Sequence, residues 1–256
     1  MKEFLQGFVV AFSMYSKIPM PRIEWTKKNM KYCICFFPLI GLVMGGLMCG
    51  WFYLAGRLAL GVNLRTAVLI LIPVAVTGGI HLDGLLDTAD ALSSYKSQEE
   101  KLQILKDSHA GAFAIIIGIC YFVLAFGVYS EITLEQLRVL CCGFVLSRAF
   151  SGLGLVSLKK ARNTGLLYTF ADASANRRVA YVMIVYLAVT AAVMLWISPV
   201  LGSAAALLGL LAFVWYRHMS YHKFGGITGD LAGCFVQVAE LVMAFGIVLV
   251  SACMRG

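Results

Sequence analysis

Residues 111–130 read GAFAIIIGICYFVLAFGVYS, twenty positions without one charged side chain. About 20 apolar residues is the length a helix needs to cross the hydrocarbon core of a bilayer. No water satisfies the backbone there, so such a run must pair its own N–H and C=O groups, and it is predicted helical. Six other runs read in the same way, at about 32–55, 66–80, 138–158, 179–198, 200–216 and 231–254. The expectation is an all-α fold: a polytopic transmembrane helical bundle of about seven spans, forming a single integral membrane domain over residues 1–256. The ten-residue alternating segments of a membrane β-barrel are absent. Residues 4–16, FLQGFVVAFSMYS, are short for a span and fit an interfacial, re-entrant or tilted helix. No small-residue cleavage site follows them, so a cleaved signal is not expected.

Composition agrees. Of 256 residues, 61% are hydrophobic and 13% charged, against roughly 25% charged in a soluble domain. Mean hydropathy is +0.85. The net charge of +8 is not read as nucleic-acid binding, because no basic stripe with interleaved aromatics occurs. Membrane proteins collect Lys and Arg in cytoplasmic loops. Loop 17–31 carries Lys17, Arg22, Lys27, Lys28 and Lys31, and loop 159–178 carries Lys159, Lys160, Arg162, Arg177 and Arg178. Loop 131–137 between them carries two Glu and no Lys or Arg. The expected site is the cytoplasmic (inner) membrane, crossed many times, with the polar stretches 81–110, 159–178 and 217–230 facing the cytoplasm. Membrane lipid is the expected surrounding partner, and a homo-oligomer is left open. The eight cysteines read as small apolar fillers, since Cys33 and Cys35 lie too close for zinc spacing. Gly41, Gly45 and Gly46 suit close helix packing.

The sharpest chemical signal is GGIHLDGLLDTAD, residues 78–90. Asp83, Asp87 and Asp90 stand at i, i+4 and i+7, on one face of a helix. Three carboxylates with no Lys or Arg among them repel one another, and a hard divalent cation is the natural compensator. A solvated acidic helix end is the competing reading, weakened by Leu82, Leu85, Leu86 and Ala89 between the acids. His81 reads as an acid/base, an orienting group or a satisfied polar residue. KFGGITGD, residues 223–230, suits phosphate or metal at a helix start through Lys223, Gly226, Thr228 and Asp230, or is a turn capped by Asp230. Lys106 and His109 could meet an anion, or Asp107 or Ser108 could cap the next helix. Arg148 and Glu240 are charges inside apolar runs and need partners: either each other, or, for Arg148, a phosphate. Arg162 stands beside Asn163, Thr164 and Gly165 as a further phosphate candidate.

Together these stretches resemble the cobamide (cobalamin) synthase family, the adenosylcobinamide-GDP ribazoletransferases. HLDGLLDTADAL is similar to that family's aspartate-rich signature. KDSHAGAFA resembles its KDSRxGxxG stretch, LSRAF with KKARNTGL its SR…AR…GL region, and GGITGDLAGC…QVAE its GGxTGDxxGA…QxxE ending. His109 stands where the family usually has Arg, and Cys234 where Ala is common. The resemblance implies an enzyme that joins adenosylcobinamide-GDP and α-ribazole, or its 5′-phosphate, with release of GMP. It implies Mg²⁺ held by Asp83, Asp87, Asp90 and Asp230. Asp83, Asp87 or His81 would accept the proton of the ribazole 5′-hydroxyl. Lys106, His109, Arg148, Arg162, Lys223, Gly226 and Thr228 would serve the substrates. Two rivals stand beside this reading. A CDP-alcohol phosphotransferase would need a DGxxAR element, and after Asp83-Gly84 the chain reads Leu-Leu-Asp-Thr. An ion-coupled transporter would use Arg148 and Glu240 at the midplane.

Overall fold

The structure, a computed structural model, describes residues 2–107 and 109–255. The described residues form twelve α-helices and one 3₁₀ turn, with no strand. The chain opens with α1 (Lys2–Tyr15), α2 (Lys27–Met30), the 3₁₀ turn Cys33–Phe36 and α3 (Phe37–Arg57). Next come α4 (Val62–Thr77), α5 (Ile80–Ser93), α6 (Gln98–Ile104) and α7 (Ala112–Ser130). The remainder is α8 (Leu134–Ser157), α9 (Leu166–Ala173), α10 (Asn176–Ile197), α11 (Pro199–Phe224) and α12 (Gly229–Arg255).

Six helices are long and apolar enough to cross a membrane, counting α2, the 3₁₀ turn and α3 as one. A seventh candidate is the pair α4 and α5, which bends by 94° between its halves. Here the structure corrects the expected span at 66–80. That run belongs to a helix of 16 residues that stops at Thr77. Gly78 (φ 65°) and Gly79 (φ 79°) both adopt the left-handed conformation, which glycine enters without steric cost. The backbone of Lys17 seals the break by donating to Val76 O at 2.7 Å. The aspartates therefore lie on a short helix that turns sharply away from α4 and packs on α12 and α7. The run read as 200–216 also extends two turns further, to Phe224. Residues 4–16 form α1, which packs on the 3₁₀ turn and α2 and leaves Phe4 and Leu5 exposed.

The core is built around α8. Within its apolar window 78% is buried, against 17% for α10, so α8 is the axis and α10 an outer helix. The α8 start is fixed by a capping box, in which Thr133 Oγ1 accepts from Gln136 N and Gln136 Oε1 accepts from Thr133 N. Gly41 and Gly45 of α3 meet the α8 backbone at Phe144 and Cys141, so close approach there is a small-residue effect. Gly46 departs from that reading, because nothing lies within 4 Å of the position its Cβ would take. All eight cysteines are free, but Cys120 and Cys253 are exposed on the outside rather than filling the interior.

At the centre of this packing, fully buried Arg148 of α8 donates to Glu240 Oε1 of α12 at 2.6 Å and to Phe144 O at 2.9 Å. Ser147 Oγ also donates to Glu240 Oε1 at 2.9 Å. An intramembrane charge is costly unless paired, and these partners answer that need. Arg148 is therefore an internal ion-pair member, with Phe37 against its guanidinium at 5.7 Å. It does not line the cavity described below, so of the two readings of Arg148 the structure shows the ion pair.

Candidate active site

The bend at Gly78–Gly79 delivers α5 against the start of α12. Small residues make the crossing: Gly84 faces the backbone of Asp230, and Gly233 faces the backbone of His81. Asp83 is exposed and Asp87 half-buried on the same side of α5. Asp87 lies within the fields of Asp83, Asp230 and Asp90. The carboxylates of the two sequence motifs thus share one end of the bundle.

A second junction sets Asp230. The chain around Ile227 runs beside residues 159–161 as an isolated parallel bridge. Ile227 N donates to Lys159 O at 2.9 Å and Ala161 N to Ile227 O at 3.0 Å. A Cβ at Gly226 would sit 2.6 Å from Lys159 O and from Ala161 N, so Gly226 permits this contact and does not line the cavity. The bridge brings Arg162 Nη2 to 4.0 Å from Asp230 Oδ2. Thr228 takes the capping position of α12, its Oγ1 accepting from Leu231 N at 3.3 Å. Asp230 is thereby relieved of the capping duty that the sequence allowed it, and its contact with the Thr228 hydroxyl is long, at 3.4 Å.

These groups open onto a cavity of about 350 Å³. Its rim carries exposed Asp83 and Thr164 and half-buried Arg162 and Asp230, with buried Thr228 beside them. Its buried floor is apolar and aromatic, with Ile34, Phe37, Leu155 and Phe170. His81 belongs to the floor: it is 5% exposed, and neither ring nitrogen has a hydrogen-bond partner among the described residues. Tyr15 and Phe37 stand against it, at ring-centroid distances of 6.4 and 5.6 Å.

The other expected site residues lie elsewhere. Asp90 caps α7 from a distance: Oδ2 accepts from Gly111 N at 2.6 Å and Oδ1 from Ala114 N at 2.8 Å. That replaces the expected cap at Asp107; Ser108 lies outside the described residues. Asp107 instead accepts from the backbone N of His109 and meets its Nδ1 at 2.7 Å. These hydrogen bonds hold the Asp107 carboxyl below the usual carboxylate range. Lys106, His109 and Lys223 are exposed and do not line the cavity.

The donor set at the rim is hard carboxylate oxygen, which suits Mg²⁺ or Mn²⁺. Among the described residues no three His, Cys, Asp or Glu side chains converge closely enough to hold an ion by themselves. Mg²⁺ typically takes one or two carboxylates and completes its shell with water and substrate phosphate, and the spread of Asp83, Asp87 and Asp230 fits that mode.

Sequence reading missed Tyr15, Phe37 and Phe170. Each looks like an ordinary apolar residue of a helix. The one available signal was the short amphipathic run of α9 inside loop 159–178. There Phe170 is buried and Lys27 fastens Asp172 at 2.7 Å.

A family model for cobalamin-5-phosphate synthase matches residues 7–248. The chain belongs to the cobalamin-5-phosphate synthase family. The match takes in both carboxylate stretches, Arg162 and the whole cavity lining. A protein of Lachnoclostridium phytofermentans named adenosylcobinamide-GDP ribazoletransferase is 47% identical over 96% of this chain and 95% of its own length. Proteins of the same name from Clostridium botulinum (strain Alaska E43 / Type E3) and Geobacillus thermodenitrificans are 32% and 30% identical. They cover 96% and 95% of this chain, and 98% and 95% of their own lengths. No solved structure matches the chain.

Proposed function

We propose that this chain joins α-ribazole, or its 5′-phosphate, to adenosylcobinamide-GDP at the carboxylate rim, releasing GMP. Membership of the cobalamin-5-phosphate synthase family supports the reaction. The observation that carries it to these residues is the meeting of Asp83 from α5 with Asp230 and Arg162 at the mouth of one cavity.

In this reading a ribazole hydroxyl attacks the phosphorus attached to the cobinamide side. The bridging P–O bond of the diphosphate breaks, and GMP leaves with that oxygen. The family name, cobalamin-5-phosphate synthase, describes a product that keeps a 5′-phosphate, so the attacking group is a ring hydroxyl of the ribose. This replaces the 5′-hydroxyl expected at first. Asp83 is exposed at the rim and takes the proton. Arg162 binds the diphosphate, where a planar guanidinium matches phosphate oxygens. Thr228 and the first turn of α12 offer a hydroxyl and backbone N–H groups to the same anion. Mg²⁺ held by Asp83 and Asp230, together with diphosphate oxygens and with Asp87 adding its charge nearby, would neutralise the charge of the diphosphate and of the departing GMP.

The basic loops 17–31 and 159–178 lie at the end of the bundle that carries the site. By the positive-inside rule that end faces the cytoplasm, where the nucleotide substrates are made, and the protein sits in the cytoplasmic membrane. The test is GMP release by purified protein in detergent, given adenosylcobinamide-GDP, α-ribazole and Mg²⁺. Turnover that disappears in Asp83→Ala supports the reading, and wild-type protein that releases no GMP refutes it.

A further inference from the structure

We propose that the floor of the cavity holds the flat base of the nucleoside acceptor, and that His81 is the residue that positions it. This rests on the transferase reading above for the identity of the acceptor.

The starting point is an unmet need. His81 is 95% buried by its 5% exposure, and both ring nitrogens lack partners among the described residues. Buried polar side chains are nearly always paired in folded proteins. The ring lines the cavity with both nitrogens just covered, so a small turn of the side chain toward the cavity lets a ligand supply the partner that the protein does not.

The surroundings narrow the class of ligand. Phe37 lies 4.4 Å from Tyr15 and 5.6 Å from His81, centroid to centroid, and the Arg148 guanidinium lies over its ring at 5.7 Å. Phe170 closes the floor next to Tyr15 at 6.3 Å. Ser151, 7% exposed, and Tyr15, with its phenol hydroxyl, are the other polar side chains of the floor. Such a cage accepts a flat apolar ring and offers one or two directed hydrogen bonds, the usual balance of a small-molecule site. A purine with polar groups around its edge would leave most of them unpaired. A benzimidazole has one bare aromatic nitrogen besides the one carrying the sugar, and no exocyclic polar group. One N–H of His81 satisfies it.

Size separates the two substrates. A cavity of about 350 Å³ lies near the lower end of the roughly 300–1,000 Å³ range of ligand pockets. It has room for a nucleoside and none for a corrin ring with its nucleotide arm. The geometry of α5 then orients the acceptor. Asp83 follows His81 by two residues, about 200° around the helix, and both still line the cavity, His81 at its buried floor and Asp83 at its exposed rim. A base held at His81 therefore presents its ribose to the rim, where Asp83, Arg162 and Asp230 stand.

Calorimetric titration into detergent-purified protein tests this with two probes: α-ribazole, and its analogue with a dimethylindole base, which lacks the bare nitrogen. Wild-type protein should bind ribazole about tenfold more tightly than the indole, the value of one directed hydrogen bond in a dry site. In His81→Phe, which keeps a ring of similar shape, that preference should fall to about one. Ser151→Leu, which fills the floor, should weaken both probes. Equal binding of the two probes to wild type, a preference that survives His81→Phe, or undiminished binding to Ser151→Leu would each overturn the proposal. GMP release assayed on the same preparations reports separately on the transferase reading. If the wild type turns over and the variants alter the KM for adenosylcobinamide-GDP in place of that for ribazole, the activity stands and the base site is wrong.

Discussion

Gly84 of α5 and Asp230 of α12 are in backbone contact: a Cβ at Gly84 would lie 2.5 Å from the Asp230 carbonyl oxygen. The contact is what lets two acidic motifs, far apart in sequence, share one rim. Gly84→Val should force the helices apart at a cost of about 1–3 kcal/mol, as overpacking does. GMP release should fall far more than the melting temperature suggests, because Asp230 moves away from Asp83. A variant with full activity would show that the crossing does not set the site.

The Arg148–Glu240 pair is structural in this account. Arg148→Met should destabilise by roughly 3–5 kcal/mol, since it leaves Glu240 buried without its cation. The double variant Arg148→Met/Glu240→Leu should recover most of that loss and keep its KM for adenosylcobinamide-GDP. Thermal unfolding in detergent measures the first effect and kinetics the second. A raised KM in the stable double variant would return Arg148 to the phosphate site.

Asp90 and Asp83 occupy equivalent places on α5 and do different work. Asp90→Ala should cost about 0.5–2 kcal/mol of stability, as loss of a helix cap does, and leave the Mg²⁺ concentration for half-maximal activity unchanged. Asp83→Asn should leave stability near wild type and raise that Mg²⁺ requirement or abolish turnover. Melting curves and Mg²⁺ titrations on both variants check the division; a reversed pattern contradicts it.

Exposed Lys106, His109 and Lys223 stand apart from the cavity, whereas Arg162 borders it. Alanine at each of the first three should change the KM for adenosylcobinamide-GDP by no more than about twofold. Arg162→Ala should raise it by about tenfold or more, the worth of a charge-assisted hydrogen bond to phosphate. Steady-state kinetics with saturating ribazole decides between them.

Much of this was legible in the residues. Apolar runs announce helices because a bilayer admits almost nothing else, and Asp83, Asp87 and Asp90 do share a helix face. The pairing of Arg148 with Glu240 was one of two open readings, because an intramembrane charge demands a partner. The 94° bend at Gly78–Gly79 was not legible, since hydropathy counts residues and carries no direction. The capping role of Asp90 depends on Gly111 and Ala114, more than twenty residues later, and no local pattern shows that. Tyr15, Phe37 and Phe170 were hidden for another reason. An aromatic side chain that walls a cavity and one that fills a core have the same local sequence signature.

In the proposed reaction Asp83 and Asp230 hold a divalent cation jointly with the substrate diphosphate. Electron paramagnetic resonance of Mn²⁺ titrated into the protein tests it directly, with and without adenosylcobinamide-GDP. Tight Mn²⁺ binding with phosphorus hyperfine coupling is expected when the nucleotide is present, and its loss in both Asp83→Asn and Asp230→Asn. Mn²⁺ bound equally well in those variants, or without any coupling to phosphorus, would contradict it.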